Sequence, residues 1–454
     1  MHTNNLKQMQ SLQLDDHTAL AAIEQGIAMH ALVCELFPIA RSITGAGLRA
    51  TIRRLNEIIP LDVTEVPTGT QVFDWTVPDE WSIEDAYIEN EQGHRVVDWH
   101  DSNLHVLGYS VPVDTIMTLA ELRPHLHTLP DHPDWVPYRT SYYTRTWGFC
   151  LADRVLKSLP EGRYRVVIRS GHAPGSLTLA EHLHRGATDE EVLIFAHDCH
   201  PSLANDNLSG LSIAAHLAAY LRGRRTRYSY RFVFAPATIG SITWMARNES
   251  RLGRIRHGLV LSVLGGRGSF HYKVSRSGNQ TIDRIAWHLL RTEFPGSHRL
   301  EFLPWGYDER QFCSPGINLP VGRLTRTPNG EFPEYHTSAD NAEFLTPAAL
   351  GEAWMVCLKI FEALECNATY INLSPRGEPQ LGRRGLYRST GGYQDVPERQ
   401  LALLWVLNQS DGVTSLLDIA ERSGLPFGVL IRAASDLERV GLLATASAQH
   451  QQEV

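Results

Sequence analysis

The sequence predicts an α/β fold: a mixed sheet flanked by helices, with an inserted β-rich domain and a C-terminal winged helix. Three observations predict it. Between about 188 and 375, short apolar runs alternate with stretches of helical period, the pattern of a partly parallel sheet. From about Pro60 to residue 187 the runs are shorter, β-prone and broken by Gly, Pro and Asp. After residue 396 the order helix, short helix, turn, helix and small strand returns to helical periodicity.

Residues 17–59 read as helical. Ala28 to Phe37 and Leu48 to Ile59 carry apolar positions at helical spacing, and Arg41 to Gly47 makes the turn between them. The β-rich stretch 60–187 follows, with Val63–Val66, Val72–Val77 and Ala86–Ile88 as its first runs. Trp75, Trp81, Trp99, Trp135 and Trp147 fall here and read as core and interface. Then come strand 191–196, helix 208–221, strand 228–236, helix 240–247, strand 257–264 and helix 279–292, with a loop from Pro304 to Pro320. Thr346 caps a last helix whose first residue is Pro347. The domains expected are therefore 17–59 with 188–395, the insert 60–187, and a winged helix over 396–454, with residues 449–454 a frayed tail.

Length and composition narrow the function. A chain of 454 residues exceeds one ordinary core. A net charge of −8 argues against a general nucleic-acid binder. No long uncharged apolar run predicts a membrane span, and the polar first residues lack the apolar stretch of a signal peptide. Six unpaired-looking cysteines predict reduced thiols, hence a cytoplasmic protein. In the winged helix, four arginines face seven acidic residues between 396 and 454, a net −3. DNA affinity rests on neutralising phosphates, so a protein partner or a homo-oligomer contact suits this unit better.

The chemistry concentrates in loops at strand ends, where open α/β sheets gather their ligands. His197-Asp198-Cys199-His200 follows the apolar run 191–196, and Asp206-Asn207-Leu208-Ser209-Gly210 opens the next helix. Three further clusters are Pro236 to Ser241, Trp305 to Gly316 and Gly330 to Asn341. Imidazole and carboxylate suit zinc. His197, Asp206 and His336 could supply three ligands and leave the fourth position to water. His200 reads either as a ligand or as the cap of the turn before Pro201, and Asp206 either as a ligand or as a helix cap. Cys199 reads as a small buried thiol.

These residues carry a resemblance. Asp206 before Asn-Leu-Ser-Gly, His336 in Tyr-His-Thr and His197 at a strand end resemble the zinc aminopeptidases in which one Asp bridges two zinc ions. Nearly the whole chain resembles a bacterial family of aminopeptidase-like proteins. Val72-Phe73-Asp74-Trp75, Pro78-Asp79-Glu80-Trp81, Trp147-Gly148-Phe149-Cys150, the His197 loop and Tyr335-His336-Thr337-Ser338 carry that likeness. The resemblance implies a zinc-exopeptidase-like mixed sheet with an inserted β-rich domain and a terminal winged helix.

Departures matter as much. Where the resemblance implies a Glu after the second strand, this chain has Pro236-Ala237-Thr238-Ile239-Gly240. Where it implies an Asp after the third, the chain reads Ser262-Val263-Leu264-Gly265-Gly266. One zinc ion is therefore expected rather than two. Asp198 and Glu334 are the candidate catalytic carboxyls, with Asp198 also able to orient an imidazole. Asp308, Glu309 and Tyr335 are candidates for substrate binding, the acids for a free amine. The expected function is hydrolysis of a peptide or amide bond near a free amine, on a small peptide or amino-acid conjugate. The alternative is a catalytically inactive binding or scaffold protein.

Overall fold

Eight strands, numbered here in chain order, form the main sheet: β1 Asp62–Pro67, β2 Ser176–His184, β3 Glu191–His197, β4 Ser229–Ala235, β5 Ile255–Leu261, β6 His271–Lys273, β7 His298–Leu300 and β8 Val321–Thr325. Their spatial order is β1-β2-β4-β3-β5-β8-β6-β7. The centre is parallel: β3 lies between β4 and β5, and β5 also pairs β8. Every residue of β3 and β4 is buried, as expected for parallel strands covered on both faces. The computed structural model describes residues 16–387 and 396–446.

Helices Asp16–Leu36, Gly210–Leu221, Thr281–Glu293 and Pro347–Cys366 cover one face and share a core with β3, β4 and β5 through Ile194, Phe232, Leu261 and Trp354. Helix Ile239–Asn248 and the loop around Tyr307 cover the other, against Phe195, Val260 and Val321. Thr346 Oγ1 accepts the amide of Ala349 at 3.1 Å, the cap read from the sequence.

Two boundaries differ from the sequence reading. Strands β1 and β2, expected in the insert, pair with each other, and β2 pairs with β4, in the main sheet. The insert's own four-stranded sheet is smaller, with order Arg95–Asp98, Glu80–Glu89, Arg163–Ala173, Val113–Thr118. The change in composition at Pro60 marks where β structure begins. Which sheet a strand joins depends on long-range pairing that local pattern does not encode. Likewise Thr369–Asn372 is the central strand of the winged unit's sheet, between Asp411–Ser415 and Leu443–Thr445, so that unit begins before 396. The tail 449–454 lies outside the described residues.

The winged unit shares the main core, to which Leu430, Ile431 and Leu437 belong. Arg284 bonds Asp418 and Glu421, and His288 Nε2 lies 2.8 Å from the Leu425 carbonyl oxygen. All six cysteines are free. Among the described residues no helix is long and apolar enough to cross a membrane.

Candidate metal centre

The parallel register places His197 beside Ala235, so the loops after β3 and β4 leave the sheet together. The chain from β3 turns through Cys199 and His200, then enters helix Gly210–Leu221 by a tight segment whose Asp206–Asn207 peptide is cis. Asn207 fixes this corner. Its Nδ2 donates to the Leu261 carbonyl at 3.0 Å, and its Oδ1 accepts the amides of Gly210 and Val263. Asp340 holds the same segment from another loop: Oδ1 accepts the Asn205 amide at 2.5 Å and Oδ2 the Asp206 amide at 3.0 Å.

Asp206 is the centre. It is fully buried, and its two oxygens are addressed separately. His197 Nε2 lies 2.9 Å from Oδ1, and His336 Nε2 lies 2.9 Å from Oδ2. His200 Nε2 is 3.9 Å from Oδ2. His197, His200 and Asp206 form one group whose ligand atoms all lie within 4.8 Å of one another, with His336 outside it on the second oxygen. The three sequence-distant ligand candidates thus meet at one carboxylate. The His336 side chain is 33% exposed and marks the open side.

Burial opposes the charge on Asp206, but the imidazoles of His200, His197 and His336 hold it well below the usual carboxylate range. For His197, burial works downward, and Asp206 overrides it to raise the imidazole pKa. Burial pushes His200 down to about 3 and Asp198 up to about 8.

The remaining candidates divide. Asp198 is buried beside His197, yet neither carboxylate oxygen accepts a hydrogen bond among the described residues. It therefore does not orient an imidazole by a bond, contrary to expectation; Asn207 lies at His197 instead, with Nδ2 3.3 Å from the ring Nδ1. Asp308 is buried rather than solvated. Its Oδ1 accepts the Thr238 amide at 2.7 Å and the Ser241 hydroxyl at 2.6 Å, while Oδ2 has no partner. Burial raises its pKa. Glu309 is wholly buried, with Oε1 2.8 Å from Lys273 Nζ and 3.4 Å from Arg323 Nη1. Its other oxygen, Oε2, is buried with no partner among the described residues. Glu334 is half-buried, two residues before His336, and Tyr335 stacks on His336 at 3.9 Å.

Sequence reasoning missed several groups. Tyr307 stacks on His197 at 5.2 Å. Arg41, from the turn between the first two helices, donates to the carbonyls of His200 and Pro201 and pins their turn. Tyr138, from the insert, meets both His200 and His336 edge-on. Proximity to a cluster in sequence was the available signal, and it could have found only Tyr307. Ala237 directs its amide to Cys199 Sγ at 3.4 Å and brings no carboxylate.

A family model described as a domain of unknown function, DUF4910, matches residues 30–367. This chain belongs to the DUF4910 family. A winged helix-turn-helix model matches residues 368–445. A relative from Clostridium acetobutylicum is 49% identical over 420 residues, 92% of this chain and 96% of that protein. Its name proposes a polysaccharide biosynthesis protein with an aminopeptidase-like domain. A crystal structure named for a proposed Clostridium acetobutylicum peptidase matches with TM-score 0.89 and 47% identity, covering 94% of this chain and 98% of that one. A zinc aminopeptidase from Bacillus subtilis matches with TM-score 0.54 at 13% identity, covering 74% and 94%. This DUF4910 chain therefore has an aminopeptidase-like fold with a C-terminal winged helix.

Proposed function

We propose that the chain is a zinc-dependent aminopeptidase-like hydrolase of a peptide or amide bond near a free amine, with one metal ion. The observation carrying this reading is the buried carboxylate of Asp206, held between imidazole nitrogens at 2.9 Å on each oxygen. The donor set fits zinc, whose ligands are imidazole nitrogen and carboxylate oxygen. The orphaned oxygens of Asp198, and Oδ2 of Asp308, are buried polar atoms that a cation nearby would stabilise. His197, His200 and Asp206 would hold the ion, with His336, on the second oxygen of Asp206, as a further imidazole. A bound zinc ion supplies Lewis acidity toward a carbonyl and lowers the pKa of its water to ~7.

The chain's own groups supply the rest. Asp198, beside His197, and Glu334, two residues before His336, are the carboxyls available to carry a proton. The free oxygen of Asp308 and the hydroxyl of Tyr335 remain for the substrate amine. Asp340, Asn207 and Arg41 fix the loops on which the ligands stand. The substrate class is a small peptide or amino-acid conjugate. Because a close relative's name points to polysaccharide biosynthesis, amino-sugar amides belong in the same assay.

The winged unit is assigned to protein contacts. On its helix Phe427–Arg439 only Arg432 and Arg439 are basic; Arg439 pairs with Asp436, which also binds Arg399.

A second reading is favoured by Ala237, which can neither accept a proton nor bind metal: an inactive binding or scaffold protein. General-base help is worth ~10²–10⁴ in rate, so its loss is visible. The test is zinc content by emission spectroscopy with cleavage of aminoacyl-nitroanilides and amino-sugar amides. Bound zinc with turnover abolished by His336→Ala supports hydrolysis. Bound zinc without turnover, unrestored by Ala237→Glu, supports the second reading.

A further inference from the structure

The inserted domain reaches into the metal centre at one place. Residues 136–138 run antiparallel to 336–338, joined by a bridge between Pro137 and Thr337. The Ser338 amide donates to the Val136 carbonyl at 2.8 Å, and the Val136 amide to Ser338 Oγ at 2.9 Å. The Tyr138 amide donates to the His336 carbonyl at 2.8 Å. His336 itself sits at φ +57, the left-handed region, which a non-glycine residue keeps only when its surroundings determine it.

The Tyr138 ring then crosses the site. It lies 5.2 Å from the His200 ring at 68° and 5.1 Å from the His336 ring at 84°, an edge-on contact with each. The residue is only 9% exposed, and its hydroxyl pairs with that of Tyr142 at 2.7 Å, in the insert again. No metal-ligating atom is involved. The ring packs against both of two imidazoles, 5.2 Å apart, that come from loops 136 residues apart in sequence, and its backbone holds one of them in a strained conformation.

We infer that Tyr138 is a positioning residue for the metal centre: the insert, through this side chain and its backbone, sets the angle at which His336 and His200 face Asp206. This rests on the metal reading above. Groups that orient ligating imidazoles are typically worth 10–100-fold in metal affinity. The ring is the active part, because the hydroxyl touches only another tyrosine.

The test measures zinc affinity by competition with a chromophoric chelator, and the visible spectrum of the cobalt-substituted full-length protein. Tyr138→Ala is expected to weaken zinc ~10–100-fold and to alter the cobalt bands. Tyr138→Phe is expected to stay within about threefold, since it loses a single neutral hydrogen bond remote from the ligands. Leu126→Ala, in the core of the insert, is the control: it should lower the melting temperature and leave both metal readouts unchanged. Should Tyr138→Ala fail to fold, Tyr138→Leu keeps a branched apolar side chain without the ring and serves the same comparison. Wild-type affinity and spectrum in the Ala or Leu variant overturn the inference, as does an equal loss in Leu126→Ala. A wild-type protein that takes up neither metal overturns the metal reading and this inference with it, whereas metal uptake insensitive to Tyr138 overturns the inference alone.

Discussion

Asp340 offers the sharpest test of how the centre is built. Its carboxylate accepts two backbone amides, those of Asn205 and Asp206, in a place with no exposure to water. Replacement by Ala leaves both donors buried and unpaired. A buried donor stripped of its partner costs about 1–3 kcal/mol, and each bond here involves a carboxyl group, which places the pair at about 3–6 kcal/mol. With an unfolding entropy of ~2.1 cal/mol/K per residue, a chain of this length melting as one unit has ~1 kcal/mol/K, so the midpoint should fall by about 3–6 °C. Unfolding of the aminopeptidase-like body alone would give a larger shift. Asp340→Asn keeps one acceptor and should lose about half as much. The assay is differential scanning calorimetry on the three proteins. A shift under about 1 °C in Asp340→Ala would refute the reasoning, since it would mean that water or a rearranged loop satisfies those amides.

Two further outcomes follow from other parts of the molecule. Burial pushes the His257 pKa down to about 4, with Arg227 and Arg256 acting the same way and Glu190 opposing them. The folded state thus binds fewer protons than the unfolded chain, so this contribution is intact above the unfolded value near 6.5. It is lost as pH falls from there to about 4, by about 3 kcal/mol at most. His257→Gln should flatten that limb in urea titrations at pH 7 and pH 4.5, and an unchanged difference between the two pH values would count against it. Arg284→Ala removes the ion pairs to Asp418 and Glu421, which are a third or more exposed, so about 1 kcal/mol or less is expected. Faster amide exchange confined to helix Leu416–Ser423 is the predicted signature, and exchange rates equal to wild type there would show that His288 and the apolar contacts suffice.

Much of the architecture was legible because it rests on local pattern. The largely apolar runs of β3 and β4 announced buried parallel strands, and Thr346 with Pro347 announced the start of a helix. His197, Asp206 and His336 could be picked out as candidates because polar side chains at strand ends have few structural uses, and the fold brings the three together. What stayed hidden was long-range. Nothing local in Val63–Val66 says that its partner is Ala180 rather than another strand of the insert. Nothing in Asp308-Glu309 says that one acid caps helix Ile239–Asn248 from a distant loop while the other neutralises Lys273. Both look like loop charges until the chain is folded. Tyr138 sits in a stretch rich in Pro and Tyr that carries no ligand motif at all.

The substitution at Ala237 gains meaning from its neighbours. The turn after β4 has lost a carboxylate relative to what the resemblance implies, yet the amide at the start of the next helix is not left bare. Asp308 reaches it from outside, bonding the Thr238 amide and the Ser241 hydroxyl with one oxygen and leaving the other free and buried. A carboxylate at a helix start is favoured by the amides and the helix dipole, so Asp308 has a structural reason to be there whether or not a substrate comes. The free oxygen has none. A buried acceptor without a donor costs about 1–3 kcal/mol, and a chain that kept the position only as a cap could use a neutral Asn, which buries no charge. Asp308→Asn separates the two roles: the cap survives, the melting temperature holds or rises, and any amine binding or turnover is lost. A variant that melts like wild type and still cleaves would show that the second oxygen serves no chemistry.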